Sequence, residues 1–455
     1  MDNENKIKGK VLNASDRAKT FEEVELGYTD EEALKEAERC LQCLNPRCMK
    51  GCPVNIKIPE FIKAIKEHNI AKAYEIISES SSLPAICGRV CPQEKQCESM
   101  CIKGLKGEAI SIGALERYVA DYAIANNLNS VKPKAKNGKK VAIVGSGPAG
   151  LSCAGELAKS GYDVTIYEVL HKVGGVLSYG IPEFRLPKSI VDKEVDSLKK
   201  LGVNIVCDVP IGNAISLSKL EEEYDAVFLG TGAGLPKFMN IPGEDANEVF
   251  SANEILTRIN LMGSYKEDSK TPIKKGKVVY VIGGGNVAMD AVRSLKRLGM
   301  EAHLMYRRSE EELPARKMEV EHAKEEGIIF NLLENPIKVL SDDDNHVVGM
   351  EVVNMELGEP DETGRRSVIE KVGTNHIVNC DMIVEALGTS PNHEALKNSD
   401  IKLTDKGLIE VNGTKTSLSN VFAGGDAVTG AATVILAMEA GKNGAKEIMD
   451  YLENK

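Results

Sequence analysis

The sequence has little that would carry a chain into a membrane or onto nucleic acid. No run approaches the roughly eighteen consecutive apolar residues of a spanning helix, and the opening MDNENKIKGK has no apolar core of a secretory signal. Aromatic residues make up only 4% of the chain, and the net charge of −11 leaves no basic stripe interleaved with them, which excludes a nucleic-acid face. The excess acid serves solubility. The expected compartment is the cytoplasm, where thiols stay reduced, so the eleven cysteines are not read as disulfide staples. Metal or redox chemistry is the better use for them. At 455 residues, 42% apolar and 27% charged, the chain can bury a large core, and its length suggests about two to four domains.

Eight of the eleven cysteines lie in two groups, C-x2-C-x4-C-x3-C-P (Cys40, Cys43, Cys48, Cys52) and C-x3-C-P-x4-C-x3-C (Cys87, Cys91, Cys97, Cys101). Neither has the paired C-x2-C spacing of a four-cysteine zinc site. Three close cysteines followed by a displaced Cys-Pro match the bacterial ferredoxin run, whose fourth cysteine reaches across to the other cluster. Eight thiols suit two [4Fe–4S] clusters. On that exchange, Cys40, Cys43, Cys48 and Cys101 form one ligand set, and Cys52, Cys91 and Cys97 form the other with Cys87 as nominal fourth. Glu116, in GALERYVADY, competes for that last position through a carboxylate oxygen. The alternative is two zinc sites or buried free thiols. Cys153, Cys207 and Cys380 stand alone and are read as core thiols.

Around the cysteines the pattern is helical. In IPEFIKAIKEHNIAKAYEIISES, Phe61, Ile62, Ile65, Ile70, Ala73, Ile76 and Ile77 recur at three-to-four spacing. A lysine-rich stretch at 126–140 with Pro133 and Gly138 reads as a linker. Next, KKVAIVGSGPAGLSCAGELAKSGYDVTIYE runs strand, glycine turn, helix, strand, with Gly145, Gly147 and Gly150 in G-x-G-x-x-G and Glu168 ending the second strand. That is the dinucleotide fingerprint, in which the acid accepts from a ribose hydroxyl and the helix N-terminus faces the pyrophosphate.

The device recurs in GKVVYVIGGGNVAMDAVRSLKRLGMEAHLMYRRS, with Gly283, Gly285 and Ala288 in the fingerprint positions. Here Arg307 and Arg308 replace the acid. A carboxylate would repel a 2′-phosphate, whereas guanidinium groups bind it through charge-assisted hydrogen bonds. The second site is therefore expected to prefer NADP(H), and the first to take a dinucleotide with a free ribose, such as FAD. The bland reading of the arginine pair is a solvated patch. Arg316 is read as a further phosphate contact or a solvated helix face. Near the end, LSNVFAGGDAVTGAATVILAMEAGKNGAKEIM gives a short strand, Gly424, Gly425 and Asp426, and a small-residue helix.

These motifs resemble the two-dinucleotide flavoprotein reductases. More closely, CLQCLNPRCMKGCPV, ICGRVCPQEKQCE, VGSGPAGL, GGVLSYGIPEFRLPK, VIGGGNVAMD, YRRS and FAGGDAVTGAATVILAM together resemble the family of the NADPH-dependent glutamate synthase small subunit. That family includes the large subunit of NADH-dependent ferredoxin:NADP oxidoreductase and the N-terminal half of dihydropyrimidine dehydrogenase. The resemblance covers roughly residues 20 to 453. It implies an α/β chain in which a helical iron–sulfur domain (1–130) precedes an FAD domain (139–250 and 385–455), with an NADPH domain (251–384) inserted in it.

It further implies that Asp426 lies on the ribityl-phosphate part of FAD, with the backbone near Thr433 and Val434 at the flavin ring. Pro148, Ala149, Gly175, Gly232 and Gly425 join the FAD contacts, and Asn286 and Val287 those to NADP(H). FLGTGA (228–233) and EALGTSPN (385–392) resemble the two crossings between dinucleotide domains. YGIPEFRLPK lines the flavin or is simply a rigid loop. Dihydropyrimidine dehydrogenases use a glutamine ligand at the position of Glu116. NADPH gives a hydride and a cluster takes one electron, so the flavin converts between them and no acid–base residue is expected. The partner is a glutamate synthase large subunit or a flavin–iron–sulfur subunit linked to ferredoxin, and self-association stays open. A glutaminase nucleophile would be a cysteine at position 2, which here is Asp2, and there is no length for a synthase barrel, so this chain alone is not expected to make glutamate.

Overall fold

The computed structural model describes residues 5–128, 131–273, 276–362 and 364–455; Asp2 and the boundary drawn at 130 lie outside the described residues. The cysteine-bearing module is helical: α1 (Asp30–Glu38), α2 (Ile58–Lys66), α3 (Ile70–Ser78), α4 (Pro84–Val90) and α5 (Ile112–Ala125). The apolar spacing over 58–80 reads as one helical stretch, but the chain makes two. His68 takes a left-handed backbone with φ 57°, and the Asn69 side chain caps α3 by accepting from the Lys72 N–H. The face is as expected, since Phe61, Ile62, Ile65, Ala73, Ile76 and Ile77 are all buried.

The first parallel sheet is built from β1 (Lys140–Val144), β2 (Asp163–Tyr167), β3 (Asn204–Val206) and β4 (Ala226–Leu229), with α6 (Pro148–Lys159) and α7 (Lys188–Lys200) between strands. After β4 the chain leaves through β5 (Leu235–Pro236) and forms β6 (Val249–Ser251), β7 (Val278–Ile282), α8 (Asn286–Arg297), β8 (Glu301–Tyr306), α9 (Lys317–Glu325) and β9 (Ile329–Leu332). An antiparallel layer follows: β10 (Glu334–Ser341), β11 (Val347–Pro360), β12 (Arg366–Glu370) and β13 (His376–Asn379). Then β14 (Met382–Glu385) completes the second sheet, and β15 (Thr389–Ser390) pairs antiparallel with β5 where the two crossings meet. The chain returns to the first sheet with β16 (Val421–Ala423) and ends in α10 (Val434–Glu453).

The sheet orders are β16-β4-β1-β2-β3 and β9-β8-β7-β14-β6, parallel throughout, so one Rossmann-like unit is inserted in the other. Such sheets place ligand sites at the carboxyl ends of their strands. Among the described residues no helix is long and apolar enough to cross a membrane.

A buried ion network joins the units. Arg185, in the 179–188 loop, reaches Asp290 on α8 at 2.6 Å and Glu319 on α9 at 2.9 Å. Arg293 pairs with Glu319 and Glu326, and Arg297 meets Glu326 at 2.8 Å. Phe184, fully buried, lies under the Arg293 and Arg297 guanidiniums at 4.8 and 3.7 Å. Arg17 from the N-terminal segment pairs with Glu325, and Arg297 also donates to the Thr20 carbonyl at 2.9 Å.

Burial pushes the Glu319 and Glu326 carboxyls up, but the surrounding arginines outweigh it and hold both at about 2. A depressed folded-state value stabilises the fold fully above the ordinary carboxylate range, and that stability drains as pH falls from about 4.5 towards 2. Urea midpoints of the native chain should therefore drop steeply across that window, and Glu326→Gln should flatten the dependence. Arg293→Ala, which leaves buried acid short of a partner, is expected to cost about 3–5 kcal/mol at neutral pH; a midpoint equal to the parent's would show the network to be energetically idle.

Candidate functional site

Two glycine turns, after β1 and after β7, open α6 and α8. Their outer positions answer to the protein itself. A methyl at Gly145 would stand 2.6 Å from the Gly230 carbonyl oxygen, and one at Gly150 would run into the Gly145 carbonyl. At Gly283 it would lie 2.5 Å from the Ala386 carbonyl, and Ala288 is fully buried. The middle glycines differ. A methyl at Gly147 or Gly285 would meet no described atom within 4 Å. Each is the N-cap of its helix and no side chain caps either one, so the first-turn N–H groups are left for a ligand from outside the chain. A pyrophosphate suits both cradles, and Pro148 at the first helical position has no N–H to lose.

Around the first turn the expected residues converge. Gly175 sits on Gly147, a methyl there being 3.0 Å from the Gly147 Cα. The Gly174 N–H donates to Ser146 Oγ at 3.0 Å, and the Ser146 N–H and hydroxyl both donate to Glu168. Glu168, expected on a ribose, is buried and already ties the turn to the 174–175 loop. Gly425 abuts Ala149, with a methyl at 2.9 Å from the Ala149 Cβ. Asp426 accepts from the Ala432 N–H at 3.2 Å, and burial pushes its carboxyl up to about 6. The Thr433 hydroxyl caps α10 by accepting from Leu436, Val434 starts that helix, and Gly232 faces open space.

At the second turn, Asn286 Oδ1 accepts from the Arg316 N–H at 2.9 Å, Val287 is exposed, Arg307 is exposed and Arg308 is buried. Buried arginines elsewhere carry an acid: Arg39 has Glu36, Arg89 has Glu23 and Asp121, and the others likewise. Arg308 does not. Among the described residues it forms no ion pair; its Nε donates to the Arg366 carbonyl at 3.0 Å, and its buried Nη1 has no partner. A buried guanidinium in that condition calls for an anion. Burial, with Arg308 and Arg365 nearby, pushes Arg307 below its usual value.

Both readings of Arg316 are corrected. Its side chain is buried against the cysteine module, donating to Gln93 Oε1 at 3.1 Å and to the Arg89 carbonyl at 3.3 Å, and it pairs with Glu94 at 3.4 Å.

The cysteines fall into the two exchanged sets. Arg39, with Glu36 at 2.6 Å, donates to the Glu108 carbonyl at 2.7 Å and so straps the start of the first group to the segment after Cys101. Cys40, Cys43, Cys48 and Cys101 line one hollow with Ile58, Ile62 and Ile112, and among the described residues no carboxylate lines it. In the other set, α4 lies so close to α5 that a methyl at Gly88 would be 2.6 Å from the Arg117 nitrogen. That approach brings Glu116 to Cys52, Cys87, Cys91 and Cys97, whose thiols all feel its charge. Burial, and then neighbouring Glu194, pushes Glu116 up to about 8, and its Oε1 is buried with no hydrogen-bond partner.

Cys87, by contrast, has company: its Sγ is 3.4 Å from Met438 Sδ on α10 and 4.0 Å from Ser81 Oγ. Burial, aided by neighbouring sulfurs in the first set and by Glu116 in the second, raises Cys48 and Cys52 to about 11 each, so a cation is needed to draw out their thiolates. Among the described residues, no three His, Cys, Asp or Glu side chains close on a single metal ion; a thiol-lined hollow suits a larger iron–sulfur group. Cys153 and Cys380 are core thiols as expected, but Cys207 is only half-buried. Spacing gave no signal for Lys442, whose Nζ donates from α10 to the Val54 and Ser80 carbonyls at 3.0 and 3.1 Å.

Residues 17–128 match the family model "dihydropyrimidine dehydrogenase domain II, 4Fe-4S cluster", and residues 139–441 match "pyridine nucleotide-disulphide oxidoreductase". The glutamate synthase [NADPH] small chain of Escherichia coli is 36% identical, the alignment covering 95% of this chain and 94% of that one. The NADP(+)-dependent formate dehydrogenase subunit beta of Moorella thermoacetica is 39% identical over 89% of this chain, which spans 60% of the relative's length. In fold, Mycobacterium tuberculosis FprA in complex with NADPH superposes with a TM-score of 0.59 at 19% identity, over 70% of this chain and 85% of that one. With both modules matched and the E. coli small chain paralleled almost end to end, the chain belongs to the family of glutamate synthase [NADPH] small chains and is an NADPH-dependent flavoprotein oxidoreductase with a 4Fe-4S domain.

Proposed function

We propose that this chain is the electron-input subunit of an NADPH-dependent glutamate synthase. It passes electrons from NADPH through FAD and two [4Fe–4S] clusters to a large subunit that forms glutamate from 2-oxoglutarate and glutamine-derived ammonia. The observation that carries this reading is α10, which begins beside Asp426 at the first glycine turn and is pinned along its length to the cysteine loops by Met438 and Lys442. Bound FAD supplies the change from hydride transfer to single-electron transfer. The chain's residues do the rest: the Gly147 turn and the α10 N-terminus hold FAD and favour charge on its ring. The Gly285 turn holds the NADP(H) pyrophosphate, and Arg307 and Arg308 hold its 2′-phosphate.

Cys40, Cys43, Cys48 and Cys101 hold the outer cluster, and Cys52, Cys91 and Cys97 the one beside α10. For the fourth place Glu116 is preferred to the nominal Cys87, because its buried oxygen lacks any partner while the Cys87 sulfur has one. The 39% identity to a formate dehydrogenase subunit favours a second reading, in which the same module serves another redox partner, such as the flavin–iron–sulfur subunit of an NADH-dependent ferredoxin:NADP oxidoreductase.

Anaerobic purification from the native cell should bring down a larger subunit and give NADPH-dependent glutamate formation. Recovery instead of a flavin–iron–sulfur partner that reduces ferredoxin would replace the synthase reading with the second. The isolated chain should hold about eight irons and eight acid-labile sulfides. Glu116→Ala should lower that count or change one cluster's EPR signal and Cys87→Ala should not; the opposite result returns Cys87 to the metal. Arg308→Ala removes charge-assisted contacts worth roughly 1.5–3 kcal/mol, so kcat/KM for NADPH in dye reduction should fall at least about tenfold. A parent enzyme that prefers NADH would remove the 2′-phosphate role from both arginines.

A further inference from the structure

Beyond its first eight residues, β11 leaves the antiparallel layer. Up to Asn354 it pairs with β10 and β13, but from Met355 to Pro360 its partner is β12 alone. The two strands make an arm, and its turn end, where Arg366 pairs with Pro360, reaches the second glycine-turn unit through Arg308 Nε, which donates to the Arg366 carbonyl at 3.0 Å. Arg366 itself is occupied, donating to the Gly358 and Leu357 carbonyls of the arm at 3.1 and 3.4 Å. Its neighbour is not. Arg365 is anchored by its backbone, the N–H donating to Asp361 Oδ1 at 3.0 Å and the carbonyl accepting from the Asp361 N–H at 2.8 Å. Its side chain is exposed, and its charge is felt at Arg307.

Three guanidiniums thus gather at the end of β8, and among the described residues none of them forms an ion pair. Like charges so placed repel one another unless an anion lies between them. The buried Nη1 of Arg308, lacking any partner, points to the same missing charge. A singly charged carboxylate would leave most of that excess, whereas a phosphomonoester carries nearly two negative charges and three strong acceptor oxygens.

We propose that the β11–β12 arm is a wall of the nucleotide site and that Arg365 is a specificity-determining residue, closing with Arg307 and Arg308 on the 2′-phosphate of NADP(H). This rests on the NADP(H) assignment above. Arg307 and Arg308 come from the Rossmann-like unit itself, where the second strand's end ordinarily reads the ribose. Arg365 comes from a layer outside that unit, more than fifty residues further along the chain.

The test uses the holoenzyme with an artificial dye as acceptor. Arg365→Ala should raise KM for NADPH about tenfold with kcat within about twofold, so that the NADPH-to-NADH ratio of kcat/KM falls about tenfold. Inhibition by adenosine 2′,5′-bisphosphate should weaken by a similar factor while inhibition by 5′-AMP does not, and Arg365→Lys should recover part of both. If Arg308→Ala shows these losses and Arg365→Ala does not, the arm is no part of the site. The same conclusion follows if Arg365→Ala lowers kcat and leaves KM alone. If the parent enzyme fails to distinguish the bisphosphate from 5′-AMP, the NADP(H) assignment itself falls and takes the arm with it.

Discussion

Arg185 is one guanidinium answering to two acids of a different unit, Asp290 and Glu319, and the working geometry of the chain depends on pairs of that kind. Hydride transfer needs its reacting atoms about 3–3.5 Å apart, a tolerance that two units joined only by the β5 and β15 crossings would not keep. Buried ion pairs add little net stability because desolvation offsets their attraction, but they penalise every arrangement in which a partner is lost. Arg185, with Phe184 beneath Arg293 and Arg297, fixes the 179–188 loop on the helix that opens at the second glycine turn. Arg316 with Gln93 and Lys442 with Val54 do the same for the cysteine module. Each contact joins residues far apart in sequence, and each uses a long cationic side chain to reach backbone or acid across a seam.

How much of this was legible in the sequence depended on whether the cause was local. The glycine turns were readable because the strand–turn–helix pattern is local and Gly150 answers to the Gly145 carbonyl within it, whereas the carbonyls of Gly230 and Ala386 that crowd Gly145 and Gly283 come from the ends of neighbouring strands. That Cys101 shares a hollow with Cys40, Cys43 and Cys48 was readable from the ferredoxin-like run, in which the last thiol of one group reaches across to the other. The break at His68 was missed, since nothing in an apolar period marks a residue about to take a left-handed turn. Arg316 was misread for another reason: whether an arginine is solvated depends on what packs over it, and its cover comes from Gln93, far upstream. The β10–β13 layer went unread within the 251–384 stretch, and Arg365 with it.

The two glycine cradles also separate what a fold needs from what a ligand needs. Gly150 cannot change without moving the Gly145 carbonyl, so its identity is enforced by the polypeptide alone. Gly147 and Gly285 face space the protein does not use. Glycine persists there because something else comes close to the backbone, and the uncapped N–H groups say that it is anionic. Arg308 makes the same statement with a side chain.

The seating of α10 across the cysteine loops has a bearing on the order of manufacture. Every cysteine of the two sets is translated long before Val434, so a nascent chain has all its thiols while the helix that supplies Met438 and Lys442 is still unmade. During that interval the segments around Val54 and Ser80 lack their clamp, and Cys87 lacks its Met438 neighbour. Once α10 docks, Cys87 is buried against Met438, while Cys40, Cys43, Cys48, Cys52 and Cys101 remain partly exposed. The cover that Met438 and Lys442 place over Cys87, Val54 and Ser80 is thus among the last parts of the fold that the chain can complete.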